Sequence, residues 1–412
     1  MIYKLLDPGI LYVVTWLFAT SLYLLRYSLL LLPMTVTAYS FFLGSCAAFI
    51  LPSIIGSQGI GKSLIKSKLK NDSNKQLDIQ SNTEGILYFW LVLSLVETII
   101  AKNLPLLGVI GIGPAVRYTD FGIPSLHGLL NSCVLVLSNY AFQRYLSLKD
   151  NKYIREWFLY LIWSIALLGR QLMLSQLIQT FFIFIAYQQN ITHHTNIINI
   201  SNNLIERVFK ITKYLFFGWI FITLFGSIGD SRNASDSNIL EVAQSSPSFP
   251  KFLPSAVFWI YLYITSPLSN VIHNIGDGID SIKPSYIPMG TLAGIIPSQL
   301  RSVVTGQSDS TDDWRLVEDF LNVSSFHQPF LADFGVLGSL FVYFLLSFLV
   351  QRIYKKSKLS NLACWRFSNI VILHNIVFSV FINFFTNLVF LGQIAIHISL
   401  QYQKIKSQRQ KV

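Results

Sequence analysis

The feature that most constrains this chain is a succession of apolar runs of the length that crosses a bilayer as a helix, ~20 residues each, with polar or basic clusters between them. A run this long and this apolar has no face left for water. In lipid its backbone must satisfy its own hydrogen bonds, which a helix does. The runs predict ten spans, near Ile10–Leu32, Met34–Ile55, Gly85–Ala101, Ser125–Tyr145, Trp157–Gly169, Leu172–Gln188, Tyr214–Gly229, Phe330–Val350, Phe367–Ile382 and Phe384–Leu400. The short alternating segments of a membrane barrel are missing. Composition agrees: 52% hydrophobic and 12% charged residues over 412 positions, with a mean hydropathy of +0.50, exclude a soluble enzyme of this size. The expected fold is therefore an all-α integral membrane protein. Ile10–Leu32 is too long for a signal-peptide core and is retained as a span.

The net charge of +11 predicts no nucleic-acid partner, because the charges follow the ends of the apolar runs. They also fix an orientation. Of 31 Lys and Arg, 22 fall on one face, in the groups around Lys62–Lys75, Arg144–Arg155, Arg207–Lys213, Arg352–Arg366 and Lys404–Lys411 together with Lys4. Short cytoplasmic loops collect such residues. The long polar interval from Gly229 to Gly335 then faces outward. This divides the chain into a seven-span bundle (1–229), a large outer loop (230–328) and a three-span bundle with a basic tail (329–412). Within the loop, residues 256–275 are apolar enough to span, but Pro267, Thr265, Ser266 and Asn270 interrupt them. A span there would carry Arg352–Lys358 outside, so the segment is read as a surface or re-entrant helix.

The outer face differs in its choice of cation. It carries Arg26, Arg117, Arg170, Arg232, Arg301 and Arg315 against three lysines, whereas lysine dominates the cytoplasmic face. Guanidinium matches phosphate oxygens with paired donors, so a phosphate or pyrophosphate ligand is expected. Anchoring of span ends at the headgroups is the alternative for each arginine taken singly. Arg170 is placed best, in Gly169-Arg170-Gln171 between two short spans; as the centre of one long span it would cost about 2.5–3.5 kcal/mol. The outer stretch Arg117-Tyr118-Thr119-Asp120-Phe121-Gly122-Ile123-Pro124-Ser125-Leu126-His127-Gly128 reads as a tight turn into a helix capped by Ser125, with His127 either a ligand or a buried structural histidine. The interval ends in Phe326-His327-Gln328-Pro329, followed by Asp333-Phe334-Gly335. His327, at the outer boundary, has the side chain suited to proton transfer near neutrality. Cys46, Cys133 and Cys364 are scattered and have no metal-ligand spacing, so neither metal nor cofactor is expected. Glu97 is the main charge within a span, too little for an ion-coupled transporter.

These residues resemble the Wzy-type O-antigen (oligosaccharide repeat-unit) polymerases of bacterial inner membranes. The resemblance rests on Arg117 with Gly122–Gly128, on Gly169-Arg170-Gln171, on Tyr261-Leu262-Tyr263-Ile264-Thr265-Ser266-Pro267, and on His327 to Gly338. It implies a fold like that of lipid-phosphate-dependent membrane glycosyltransferases. It implies that undecaprenyl-pyrophosphate-linked oligosaccharide serves as donor and acceptor at the periplasmic face, with a polysaccharide chain-length regulator as a further partner. It also implies roles: His327 as first choice for general base with His127 and Asp333 in reserve, Arg170, Arg232 and Arg301 on the pyrophosphate, and Arg117 and Arg315 as second candidates. The related ligases, which pass the finished glycan to lipid A, pair outer arginines with a histidine in the same way. A flippase for the lipid-linked unit is the reading from another class.

Overall fold

The structure, a computed structural model, describes residues 6–58, 83–116, 120–194, 239–276, 288–296, 300, 314–360 and 362–409. The predicted span at 214–229 and the positions of Arg117, Arg232 and Arg301 lie outside the described residues. Among those described there are thirteen helices and no strand beyond an isolated bridge between Ser28 and Ser245. They are α1 (Pro8–Leu24), α2 (Val36–Gln58), α3 (Glu84–Ala101), α4 (Pro105–Val109), α5 (Leu126–Leu148), α6 (Asn151–Ala166), α7 (Arg170–His194), α8 (Ile239–Val242), α9 (Ser255–Ile275), α10 (Met289–Ala293), α11 (His327–Leu359), α12 (Ala363–Phe378) and α13 (Leu388–Arg409).

Four stretches are long and apolar enough to cross a membrane: Val36–Ile55, Glu84–Val109, Ser255–Ile275 and His327–Leu359. The exposed faces of Val36–Ile55, Glu84–Val109 and His327–Leu359 are mostly apolar, as in an integral membrane protein. On α3, residues such as Tyr88, Leu91, Val92, Leu95 and Ile99 are exposed, while Trp90, Ser94 and Glu97 are buried. Steps of four and three residues place those three on one stripe toward the bundle. In α5, α7 and α13 the hydropathy is diluted by inward polar residues, Asn139, Gln179 and Gln393 among them, all buried. Asn139 Nδ2 donates to Gln179 Oε1 at 2.7 Å, which couples α5 to α7 without an exposed polar group.

Contacts among the long helices distinguish two ends. At one end Asp7 caps α1 by accepting from the amides of Gly9 and Ile10, and it also accepts from Ser53 of α2 and Gln351 of α11. The same end holds Arg144 beside Thr83, Lys149 over Tyr187, Lys356 over Trp365, and Lys358 bonded to Gln189. The described basic clusters thus converge on one end although they come from distant parts of the chain.

The first predicted span is shortened at the opposite end. Arg26 has φ +50, α1 stops after 17 residues, and Tyr27–Leu29 pair with the backbone of Gln244–Ser246 instead. Helix α9 belongs to that end as well. Its polar partners, from Tyr261 (Tyr27 amide) through Ser269 (Leu32 amide) to Asn274 (Arg315), come from segments at that end. Asn270 and Asn274, one turn apart, hold Arg315, Val317, Leu321 and Val323 by their backbone groups. The asparagines that lower the hydropathy of this segment are therefore the ones that organise the loop above it.

Candidate functional site

Two predicted site residues, His327 and Asp333, lie along the start of α11, and a third, Arg315, lies in the loop before it. His327, its first residue, is fully buried. Its ring packs against Trp16 (4.4 Å between centroids), Phe326 (4.6 Å) and edge-on against Phe41 (4.9 Å), and Nδ1 lies 2.8 Å from the Tyr343 hydroxyl. Nε2 has no hydrogen-bond partner among the described residues. Asp333, also buried, accepts from the amides of Gly290 (2.9 Å) and Thr291 (2.6 Å), one per carboxylate oxygen. That clamps α10 onto α11 and occupies both oxygens. The chain then kinks at Gly335, whose φ of +64 a side chain would strain. Arg315 is exposed, with its backbone gripped from both sides by Asn274.

Arg170 opens α7 directly after the turn Leu167–Gly169, the placement expected from the sequence. The turn is closed by Leu168 N to Ile165 O (2.8 Å) and Gly169 N to Ser164 O (3.1 Å). Trp157 Nε1 to Thr180 Oγ1 (3.0 Å) holds α6 and α7 as a hairpin below it.

His127 is the second residue of α5 and stands in a different setting. The turn before it has two residues with positive φ, Gly122 (+95) and Ser125 (+66). Ser125 occupies the cap position but makes no side-chain cap bond, contrary to the expectation that it would cap α5. The turn is tied down from α3: Glu97, 1% exposed, accepts from the Ile123 amide through Oε1 (2.9 Å), and its Oε2 lies 3.0 Å from His127 Nδ1. The imidazole is 28% exposed and meets Phe121 edge-to-face. A Cβ at position 122 would stand 2.6 Å from His127 Nδ1, so this turn seats the ring only with glycine there. Sequence reasoning named His127 and set Glu97 aside as a lone intramembrane charge. Its signal is a carboxylate well inside an apolar helix whose other acid, Glu84, sits at the end, a costly placement unless the group is partnered.

Chemically, the two histidines differ. A neutral histidine that donates Nδ1–H to a carboxylate presents a lone pair at Nε2, whereas His327 is enclosed by aromatic rings. Compared with family models, curated proteins and solved structures, the chain matches none of them.

Proposed function

We propose that this chain is an oligosaccharide repeat-unit polymerase of the bacterial inner membrane, with about ten spans and its reaction at the periplasmic face. It joins undecaprenyl-pyrophosphate-linked repeat units by glycosyl transfer. The observation that carries the reading is the polarity of the bundle. Most of the described lysines and arginines cluster at one end, and the opposite end holds the helix starts bearing His127, Arg170 and Asp333 and the loop bearing Arg315. Under the positive-inside rule the first end is cytoplasmic and the second faces outward, where an undecaprenyl pyrophosphate displays its headgroup. Transfer from such a donor needs cations to hold the charge that develops on the leaving pyrophosphate and a base for the attacking hydroxyl. Arg170 supplies the former together with Arg232 and Arg301, and Arg117 and Arg315 are further phosphate contacts.

Deletion of the gene in the parent bacterium, followed by gel analysis of lipopolysaccharide, tests this. The expected result is lipid A-core capped with a single repeat unit. Loss of all capping overturns the polymerase reading in favour of a ligase or flippase.

A further inference from the structure

We infer that Glu97 and His127 form the proton-transfer pair of this reaction, an inference that rests on the glycosyl-transfer reading above. His127 Nε2 takes the proton of the acceptor hydroxyl, and Glu97 is the positioning residue that holds the ring.

A carboxylate buried on the single inward stripe of a helix that otherwise faces lipid is retained only with its oxygens satisfied. One oxygen of Glu97 is used on the Ile123 amide, which fixes the turn, and the other on His127 Nδ1, which fixes the ring. Both bonds serve to place one imidazole. With Nδ1–H committed to Glu97, the remaining nitrogen is the lone-pair site on a ring whose side chain is 28% exposed. An anchored carboxylate and an oriented, partly exposed imidazole are what a general base requires of its surroundings. Neither of the other candidates meets them: His327 is fully enclosed, and Asp333 has both oxygens occupied by backbone amides. Among the described residues Glu97 is the titratable group in contact with His127, and Asp120 lies exposed in the same turn.

The step balances without a co-reactant. The acceptor hydroxyl oxygen bonds to the anomeric carbon of the donor glycan as its proton passes to His127 Nε2. The bond from that carbon to the pyrophosphate oxygen breaks, and its electron pair leaves with undecaprenyl pyrophosphate. The imidazolium formed is stabilised by the Glu97 carboxylate and gives up its proton to solvent.

The test uses the purified full chain in lipid vesicles with synthetic lipid-linked repeat units, reading chain extension, release of undecaprenyl pyrophosphate and retention of donor. His127→Ala is expected to lower kcat by about 10²–10⁴-fold with donor retention near wild type, and added imidazole is expected to restore part of the extension. Glu97→Gln is expected to lower kcat with little change in KM, and Glu97→Asp to recover part of the loss. Should His127→Ala fold poorly, His127→Gln provides the same kcat reading. Near-wild-type kcat in a folded His127 variant overturns the pair while leaving the polymerase reading standing. If wild-type protein shows no extension, the polymerase reading fails and this role fails with it.

Discussion

Two corners of the same end of the bundle each present a histidine close to a helix start, and they have opposite characters. At the start of α11, His327 is stacked among Trp16, Phe41 and Phe326 and joined to the Tyr343 hydroxyl, with no exposed surface. At the start of α5, His127 is partly exposed and held by a buried carboxylate from α3. In the first corner every neighbour contributes packing, so the ring ties α1, α2 and α11 together. In the second a buried carboxylate contributes orientation, and the ring stays partly open. Residue type and position near a helix start do not distinguish the two; their partners do.

The largest expected effect lies in the His127 corner. Gly122→Val places a branched side chain where Cβ alone would be 2.6 Å from the imidazole, at a φ of +95. Displacing a reacting group by about 1 Å costs on the order of 10²-fold in rate. Extension in vesicles should fall by that much with the helical content by circular dichroism retained. Unchanged extension would mean that the seat of His127 does not matter.

A smaller effect, and one on stability alone, is expected in the His327 corner. Tyr343→Phe removes the hydroxyl 2.8 Å from His327 Nδ1 and leaves a buried nitrogen unpaired, at a cost of about 1–3 kcal/mol. The melting temperature in detergent should drop, and the folded fraction should extend chains at the wild-type rate.

An effect of the same kind and no larger is expected from His327→Phe. The substitution keeps an aromatic ring in an aromatic enclosure but removes the His327 partner of the buried Tyr343 hydroxyl, a cost of about 1–3 kcal/mol, so abundance should fall as it does for Tyr343→Phe while turnover of the folded protein stays close to wild type. A well-folded His327→Phe with extension abolished would reverse the comparison and make the buried ring the one that acts.

Much of the architecture was readable in order along the chain. The helical character of the apolar runs is one such feature, because apolar length is a local property and a backbone in lipid has few other options; four stretches are long and apolar enough to cross a membrane. The hairpin turn at Gly169-Arg170 was readable for the same reason: an arginine is expelled from the middle of a span. Where a local signal competed with a distant partner, the sequence reading slipped. The predicted span to Leu32 ends at Leu24 because Tyr27–Leu29 pair with residues more than two hundred positions away, and Ser125, a good cap by type, makes no cap bond because Glu97 ties down the turn instead.

The sequence by itself determined that the chain is a helical membrane protein with its lysines and arginines sorted unevenly between span ends, since hydropathy and charge act residue by residue. Only the tertiary structure decided which histidine is sealed and which is presented. It also turned Glu97 from an isolated charge into the partner of His127, and Asp333 into a clamp on two backbone amides. The physical reason is that exposure and hydrogen-bond partners belong to pairs of segments. Residues 97 and 127 sit on different helices, and no periodicity along either one records that their side chains meet.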